Sequence, residues 1–301
     1  MTDYSSHLVL DGVAIFLFHG VVRSLSRPVR NYTRKHIPEQ DFERVLDDLL
    51  VNGSPVSMSD VAEYVTGVRE LPPRAFAVTF DDGFENNFSV AAPQLERRAV
   101  PAMFYATTRF IDVNASSWID RIEAAVESCA SVALDLPLLP LVARCADDGS
   151  KRAVLDRIRA VVKARRDLDP YGVAEEVERQ LGVTQLECDA ALDAKMTWDQ
   201  LAALHRHSLF TVGGHGHTHR VLAFLDAADL DAEISESLRL MEQHIGEPVR
   251  HYSYPEGLAH CYSDEVIARL TARGIVCAPT AEPGVNRAGD DPFRLKRIMV
   301  A

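Results

Sequence analysis

The sequence predicts a parallel α/β fold, and three observations support this prediction. Short apolar runs that can form buried strands alternate along the chain with amphipathic helical patterns, which is the order expected of a parallel sheet connected by helices. About seven such runs occur. The alternation stops once, between about residues 112 and 195, and then resumes. The strand count suits either a barrel or an open, doubly wound sheet, and the pattern alone does not separate these two.

Strands and helices follow each other in turn through the first part of the chain. Ala14–Phe18 (AIFLF), Ala75–Phe80 and Pro101–Ala106 are apolar runs of the length expected for buried strands. A helix is predicted before the second run, because apolar residues recur there at helical spacing: Phe42, Val45, Leu46, Leu49 and Leu50. A second helix, Asn86–Arg98, connects the second strand to the third.

Helical periodicity dominates between about residues 112 and 195. Apolar residues share one helical face at Val154, Leu155, Ile158, Val161 and Val162. Leu134–Leu141 is an apolar stretch interrupted by prolines, and no strand-like alternation stands out. We therefore predict a helical insertion at about 112–195 within a single domain that spans residues 1–301.

The alternation of strands and helices resumes after about residue 196. Four further strands are predicted at Leu209–Gly213, His251–Tyr254, Ile275–Ala278 and Leu295–Val300. Two helices separate them, one over Asp231–His244 and one that begins after Ser263, a residue type that caps helices.

Composition and charge exclude several classes of function. The net charge of −12 argues against nucleic acid as a partner, because phosphate binding requires a basic surface. The five cysteines include no CxxC pair, which favours free thiols in a reducing compartment. The apolar segment Leu8–Val22 is too short to span a bilayer and lacks the basic start of a signal peptide. We expect no transmembrane segment and a cytoplasmic protein.

Two adjacent carboxylates end the second predicted strand, in the sequence Thr79-Phe80-Asp81-Asp82-Gly83. Neighbouring aspartates repel each other and each is costly to desolvate, so a fold alone does not require the pair. One interpretation is a turn in which an aspartate caps the next helix. The other is a catalytic or metal-binding pair.

Three histidines follow another predicted strand, in the sequence Gly213-Gly214-His215-Gly216-His217-Thr218-His219. The spacing of His215 and His219 suits a divalent metal ion, although a polar loop rich in histidine is the alternative. A catalytic zinc commonly has three protein ligands and one open position. One aspartate of the pair can supply the third ligand, and the other can take a proton from a bound water.

The two motifs together resemble the polysaccharide deacetylases with a NodB-type domain, which form carbohydrate esterase family four. The resemblance covers roughly residues 14–110 and 196–300. It implies a distorted (β/α)₇, TIM-like barrel with a helical insertion. It also implies that Asp81 is the general base and that Asp82, His215 and His219 bind the metal. Zn²⁺ is the expected ion, with Co²⁺, Ni²⁺ or Mn²⁺ as alternatives.

Weaker similarities lie elsewhere in the chain. Ser253-Tyr254-Pro255-Glu256-Gly257 resembles a Tyr-Pro-aromatic-Gly motif of the family, so Tyr254, Pro255 and Glu256 are candidate substrate-binding residues. Pro292–Val300 resembles a closing strand that contains Arg-Ile. Ala14–His19 resembles the first strand of members that carry a Tyr/Phe-His pair there.

The chain also departs from the family pattern. Glu256 stands where an aromatic residue is usual, and no Leu-x-His occurs near the C-terminus to supply the general acid. His19 is the first candidate for that acid, because it ends the first strand; His251 and His260 follow. The arginine that braces the base has three candidates, which are Arg250, Arg294 and Arg297.

The resemblance implies a metal-dependent hydrolase that removes an acyl group, N-acetyl above all, from a sugar or a glycan precursor of surface polysaccharide. Two alternatives remain. The first is an amidase of the same fold that acts on a non-sugar, cyclic amide. The second is a metal-binding or sugar-binding relative without catalytic turnover.

Overall fold

A computed structural model describes residues 3–25 and 27–301. Ten strands occur in this part of the chain: β1 (Val13–Phe18), β2 (Gly20–Val22), β3 (His36–Pro38), β4 (Ser54–Pro55), β5 (Ala75–Phe80), β6 (Ala102–Ala106), β7 (Val132–Leu136), β8 (Leu141–Cys145), β9 (Phe210–Gly214) and β10 (Ile298–Met299). The strands fall into one large parallel sheet and two small two-stranded sheets.

Eleven α-helices occur among the same residues: α1 (Glu39–Asn52), α2 (Met58–Val65), α3 (Ala92–Arg97), α4 (Thr108–Val113), α5 (Trp118–Ser128), α6 (Asp148–Ala164), α7 (Pro170–Leu181), α8 (Ala190–Asp193), α9 (Trp198–Arg206), α10 (Ala227–Ile245) and α11 (Asp264–Ala272). A π-helical turn, Asn87–Ala91, leads directly into α3. The helix predicted over 86–98 therefore exists, but its first turn is wider than an α-helix.

The chain divides into two compact units. The α/β unit consists of residues 3–24, His36–Ala115 and Ala194–Ala301. The insertion unit consists of the described residues of Leu25–Lys35 together with Ser116–Asp193. The insertion predicted at about 112–195 thus corresponds to the second segment, whereas the contribution of 25–35 was not foreseen. The single-domain interpretation stays a prediction.

Parallel pairing organises the α/β unit in the order β10-β1-β5-β6-β9. Three isolated parallel bridges continue this order, from Gly214 to Tyr252, from His251 to Cys277 and from Pro279 to Leu295. The last bridge reaches the terminal segment that also contains β10. Seven chain segments therefore succeed one another around the unit, as the predicted (β/α)₇ arrangement requires. The strands predicted at 251–254 and 275–278 are reduced to these bridges.

Aromatic side chains fill the layer beneath the carboxyl ends of the central strands. Phe18, Phe80 and Phe104 are register partners on three neighbouring strands. Their rings stack with centroid distances of 5.4 Å and 5.0 Å, and all three are buried. This packing gives the residues that follow them a rigid support, because a close-packed core resists displacement.

The insertion unit has its own hydrophobic core, formed by α5, α6, α7 and an antiparallel hairpin of β7 and β8. The expectation that this region contains no strand is wrong. Inward Val132, Leu134 and Leu136 alternate with outward Ala133 and Asp135, but the apolar Ala133 weakens the alternation in the sequence. The run Leu134–Leu141 extends across the turn and hides it.

Hydrogen bonds and a buried salt bridge attach the segment 27–35 to the helices of the insertion unit. The backbone N–H groups of Val29 and Arg30 donate to Glu127 Oε1, each at 2.9 Å. The Arg30 guanidinium is buried and forms a salt bridge with Asp193. These contacts explain why two segments distant in sequence belong to one compact unit. No helix in the described part of the chain is both long and apolar enough to cross a membrane.

Candidate active site

The candidate site forms where parallel strands end. Asp81 and Asp82 directly follow β5, and His215 directly follows β9. The backbone N–H of Asp81 donates to Phe18 O at 3.0 Å, and that of His215 donates to Ala106 O at 3.0 Å. Each residue is therefore fixed by a hydrogen bond to the end of a neighbouring strand. The carboxyl ends of parallel strands are where α/β barrels commonly place catalytic residues.

Asp82, His215 and His219 converge on one point. Their candidate ligand atoms all lie within 4.8 Å of one another, and the three side chains are buried. Asp82 Oδ1 lies 3.1 Å from His219 Nε2 and 3.5 Å from His215 Nε2. One carboxylate and two imidazoles form a donor set that suits Zn²⁺ and related divalent ions, so the residues fit the metal that the sequence predicts.

Backbone conformation at this point is unusual. Asp82 has φ = 76° and His219 has φ = 59°, both in the left-handed region that non-glycine residues seldom adopt. Such conformations cost free energy and cluster at functional sites, where surrounding contacts enforce them. Two of the three candidate ligands are thus held in conformations that the local sequence does not favour.

A second layer of contacts orients the two histidines. His215 Nδ1 lies 2.9 Å from Ser253 O, so we assign the ring proton to Nδ1 and leave Nε2 as the nitrogen directed at Asp82. This is the arrangement in which outer hydrogen bonds fix the tautomer of a metal-ligating histidine. The His219 ring stacks on Phe110 with centroids 5.6 Å apart, which fixes its plane.

Asp81 is bound by a buried arginine. Arg297 Nη1 donates to Asp81 Oδ1 at 2.8 Å, and Nη2 donates to Oδ2 at 2.7 Å. Arg297 also donates to Thr280 O and to Ser253 Oγ, at 2.5 Å and 2.9 Å. This planar, bidentate geometry is the strong form of the arginine–carboxylate pair. Of the three arginines considered for this role, Arg297 is the one at the base; Arg294 instead pairs with Asp264 and Asp291.

The pKa of Asp81 reflects two opposed effects. Burial raises the pKa of a carboxyl, but the charge of Arg297 above all outweighs it, so the pKa of Asp81 is lowered. His215 Nε2 lies 3.8 Å from Asp81 Oδ2. Asp81 is therefore ionised at neutral pH and lies beside the candidate metal ligands, where a carboxylate can accept a proton.

Comparison with known proteins agrees with this geometry. The family model for polysaccharide deacetylases matches residues 175–277, a range that contains both candidate histidine ligands. Resemblance to the polysaccharide deacetylase family is thereby confirmed. A search of curated protein sequences finds no match to the chain.

Solved structures show that the chain has the NodB-type deacetylase fold. It is similar to IcaB from Ammonifex degensii, with 19% identity and a TM-score of 0.61 over 98% of this chain and 94% of the other. The Streptococcus pyogenes deacetylase PplD in complex with acetate gives 13% identity and a TM-score of 0.61 over 97% and 93%. A de-N-acetylase from Aggregatibacter actinomycetemcomitans gives 14% and 0.58 over 96% and 95%.

The histidines considered as general acids occupy different environments. His19 directly follows Phe18, whose carbonyl accepts a hydrogen bond from the backbone N–H of Asp81 at 3.0 Å, so it lies near the base. Its carbonyl accepts a hydrogen bond of 2.6 Å from Asn87 Nδ2. His251 is directed at Ser59 on α2, and His260 is exposed and stacks on Phe224. The role of His19 as the general acid stays a prediction.

His251 has a structural consequence of its own. It is buried, and burial followed by the charge of Arg250 lowers its pKa to about 4. The unfolded chain takes up the proton near pH 6.5. The contribution of neutral His251 to the free energy of unfolding should therefore be fully present above about pH 6.5. On the order of 3 kcal/mol of it should be lost as the pH falls through 4. Urea unfolding from pH 7 to 4 measures this decline, and His251→Gln should flatten it. An unchanged slope in that variant would contradict the assignment.

The residues of the Tyr-Pro motif lie in contrasting positions. Tyr254 is fully buried, its hydroxyl donates to Phe293 O at 2.9 Å, and its ring stacks on Tyr262. Pro255 packs close to Gly216 of the histidine segment. Glu256 is partly exposed and has φ = 64°. The Tyr254 side chain is therefore a core element, and of the three residues Glu256 has the exposure that substrate contact requires. The roles assigned to the three stay predictions.

Sequence inspection missed Glu233 and Ser253. Glu233 and Ser237 occupy the buried face of α10 beside Leu230 and Ile234, and a carboxylate on an apolar helix face is the signal that would have indicated a role. Ser253 contacts both Arg297 and, at 3.4 Å, Asp81. It belongs to a motif that drew attention only for its aromatic and proline residues.

Proposed function

We propose that this protein is a metal-dependent hydrolase that removes an acyl group, N-acetyl above all, from a sugar or a glycan precursor. The observation that carries the proposal is the buried group of Asp82, His215 and His219 beside Asp81, which Arg297 holds. The family match and the fold support the same reading. Further hydrogen bonds and ring contacts hold the four buried residues Asp81, Asp82, His215 and His219. A turn with only a structural role would not require so many supporting contacts.

The chemistry follows from the positions of the side chains. A divalent ion held by Asp82, His215 and His219 would act as a Lewis acid and lower the pKa of a bound water towards about 7. Asp81 accepts the proton of the attacking water, because Arg297 keeps its carboxylate ionised. A backbone N–H near Tyr254 stabilises the oxyanion that develops on the substrate. His19 donates a proton to the departing amine or alcohol.

The substrate assignment follows from the family and from the composition of the chain. The proposed substrate is a precursor inside the cell, such as a nucleotide-linked or lipid-linked glycan. The cysteines of the structure are free thiols, which is typical of a reducing compartment and supports a cytoplasmic location as part of the proposal.

Metal content is the first test of the proposal. Purified wild-type protein should carry about one divalent ion per chain, zinc above all, and His215→Ala should lose it because a two-ligand remnant binds zinc weakly. Elemental mass spectrometry measures both. His217→Ala is the matched control, since its ring nitrogen lies 2.9 Å from Thr108 Oγ1 and the residue stands outside the ligand group. Wild-type protein that cannot be loaded with any divalent ion would refute the proposed metal-dependent hydrolase activity.

One specific observation favours a second candidate, an amidase that acts on a cyclic amide. Glu256 replaces the aromatic residue of the family motif and is partly exposed, so it changes the surface offered to a sugar ring. Acetate release from N-acetylglucosamine oligosaccharides would support the deacetylase. Hydrolysis of small cyclic amides without such release would support the amidase instead.

A further inference from the structure

Glu233 on α10 holds the segment that connects the two candidate histidine ligands. Its Oε1 accepts hydrogen bonds from the backbone N–H groups of His217 and Thr218, at 2.8 Å and 2.6 Å. Its Oε2 accepts a third from Thr218 Oγ1 at 2.8 Å. We propose that Glu233 is a positioning residue that sets the metal affinity of the site, an inference that rests on the metal centre of the proposed function.

The connecting segment needs such a support. β9 ends at Gly214, so strand pairing does not extend to residues 217–219. Gly216 has φ = 78° and His219 has φ = 59°. Glycine adopts such a conformation readily, but His219 does not, so the segment is not stable through its own backbone preferences. Contacts from outside must therefore fix it if His219 Nε2 is to stay beside Asp82.

Helix α4 supports one side of this segment and Glu233 supports the other. The backbone N–H groups of Thr108 and Arg109 donate to Gly216 O and His217 O, at 3.1 Å and 3.0 Å. These bonds use the carbonyl groups of the segment. Glu233 uses its N–H groups, and in doing so satisfies partly buried donors that strand pairing leaves open.

A carboxylate at this position has a cost that folding alone does not explain. Glu233 is buried between Leu230 and Ile234 on the inner face of α10. Burying a polar group is unfavourable unless it is fully hydrogen-bonded, and an apolar residue would suit this helix face better. The three bonds to the histidine segment offset that cost. Glu233 therefore acts on the site through the backbone of 217–218 and does not belong to the ligand group itself.

Zn²⁺ affinity measures the proposed role directly. Competition of each apo-protein with a chelator gives the Zn²⁺ dissociation constant. Glu233→Ala should weaken binding about 10- to 100-fold, the usual effect of removing an outer contact of a metal site. Glu233→Gln should restore most of the affinity, because its amide oxygen can accept both backbone N–H groups and its NH₂ can donate to Thr218 Oγ1. Thr218→Ala, which removes one bond of three, should have a smaller effect than Glu233→Ala.

The control is Glu236→Ala, which removes a carboxylate from the exposed side of the same helix, where it pairs with Arg239. Its Zn²⁺ affinity should equal that of the wild type. Thermal unfolding of the metal-free proteins separates positioning from mere stability: a structural role lowers the melting temperature and leaves the affinity unchanged. Wild-type affinity in Glu233→Ala, or in Thr218→Ala if Glu233→Ala does not fold, overturns the inference alone. A wild type that binds no Zn²⁺ overturns the proposed function with it.

Discussion

Replacing Asp81 by asparagine should lower kcat by about 10²- to 10⁴-fold, the contribution of a positioned general base. Asparagine keeps the size of the side chain and one acceptor oxygen for Arg297, but it cannot take a proton from water. Metal content should stay at the wild-type value, because Asp81 lies outside the ligand group. Acetate release from an N-acetylglucosamine oligosaccharide, measured on protein of known metal content, gives the rate.

Asp82→Asn is the matched comparison for this prediction. It makes the same carboxylate-to-amide replacement at the neighbouring residue. Because Asp82 Oδ1 lies 3.1 Å from His219 Nε2 in the ligand group, this variant should lose metal and activity together. The two aspartates would then be distinguished by function and not only by position. Full activity in Asp81→Asn would show that Asp81 is not the general base. Loss of metal in both variants would show that the two roles are not divided as proposed.

The sequence predicted the candidate ligands because their chemistry is local. Asp81-Asp82 and the His215–His219 segment each follow an apolar run, and the carboxyl ends of parallel strands meet at one edge of a sheet. Convergence of the two motifs therefore followed from the fold class. What the sequence does not reveal is the left-handed conformation of Asp82 and His219, because neither is a glycine and surrounding contacts impose it.

Partners distant in sequence were harder to find for a physical reason. Arg297 lies 216 positions from Asp81, and three arginines near the C-terminus had equal claims on the role. Burial distinguishes the three, since Arg297 is 1% exposed. Which arginine becomes buried depends on the register of the whole parallel sheet, and local sequence does not show this. The apolar helix face around Glu233 indicates that the residue has a role, but its partners could not be found, because two of the three are backbone N–H groups that any sequence supplies. The hairpin of β7 and β8 was missed because its turn is as apolar as its strands.

Removing the charge of Arg297 should raise the pKa of Asp81 and thereby shift the acid limb of kcat/KM. The charge of Arg297 opposes the effect of burial, and an opposite charge at hydrogen-bond distance lowers a carboxyl pKa by about 1–3 units. In Arg297→Met burial acts without that opposition, so activity should fall away at a pH about 1–3 units higher. Arg297→Lys keeps a charge but cannot form the bidentate pair, and should give a smaller shift.

The same variant should lose stability in a pH-dependent manner. Breaking a buried ion pair on one side costs about 3–5 kcal/mol at neutral pH. In the wild type the folded pKa of Asp81 is lowered, so the stability that the pair contributes is present above the unfolded pKa of about 3.9 and is lost as the pH falls through the folded value. In Arg297→Met the folded pKa of Asp81 should rise relative to the wild type, so less of this pH-dependent stability is present at neutral pH. The two proteins should therefore approach each other in stability towards pH 4.

Urea unfolding at pH 7 and pH 4, with pH–rate profiles of the metal-loaded enzymes, tests both effects together. Arg294→Met is the control, because Arg294 is exposed and pairs with Asp264 and Asp291 at the surface, where an ion pair contributes about 0–1 kcal/mol. It should leave the acid limb in place. Superimposable acid limbs in Arg297→Met and the wild type would mean that the guanidinium serves the fold alone. A shifted limb with the stability gap closing at low pH would show that one buried arginine both stabilises the protein and maintains the ionisation of its base.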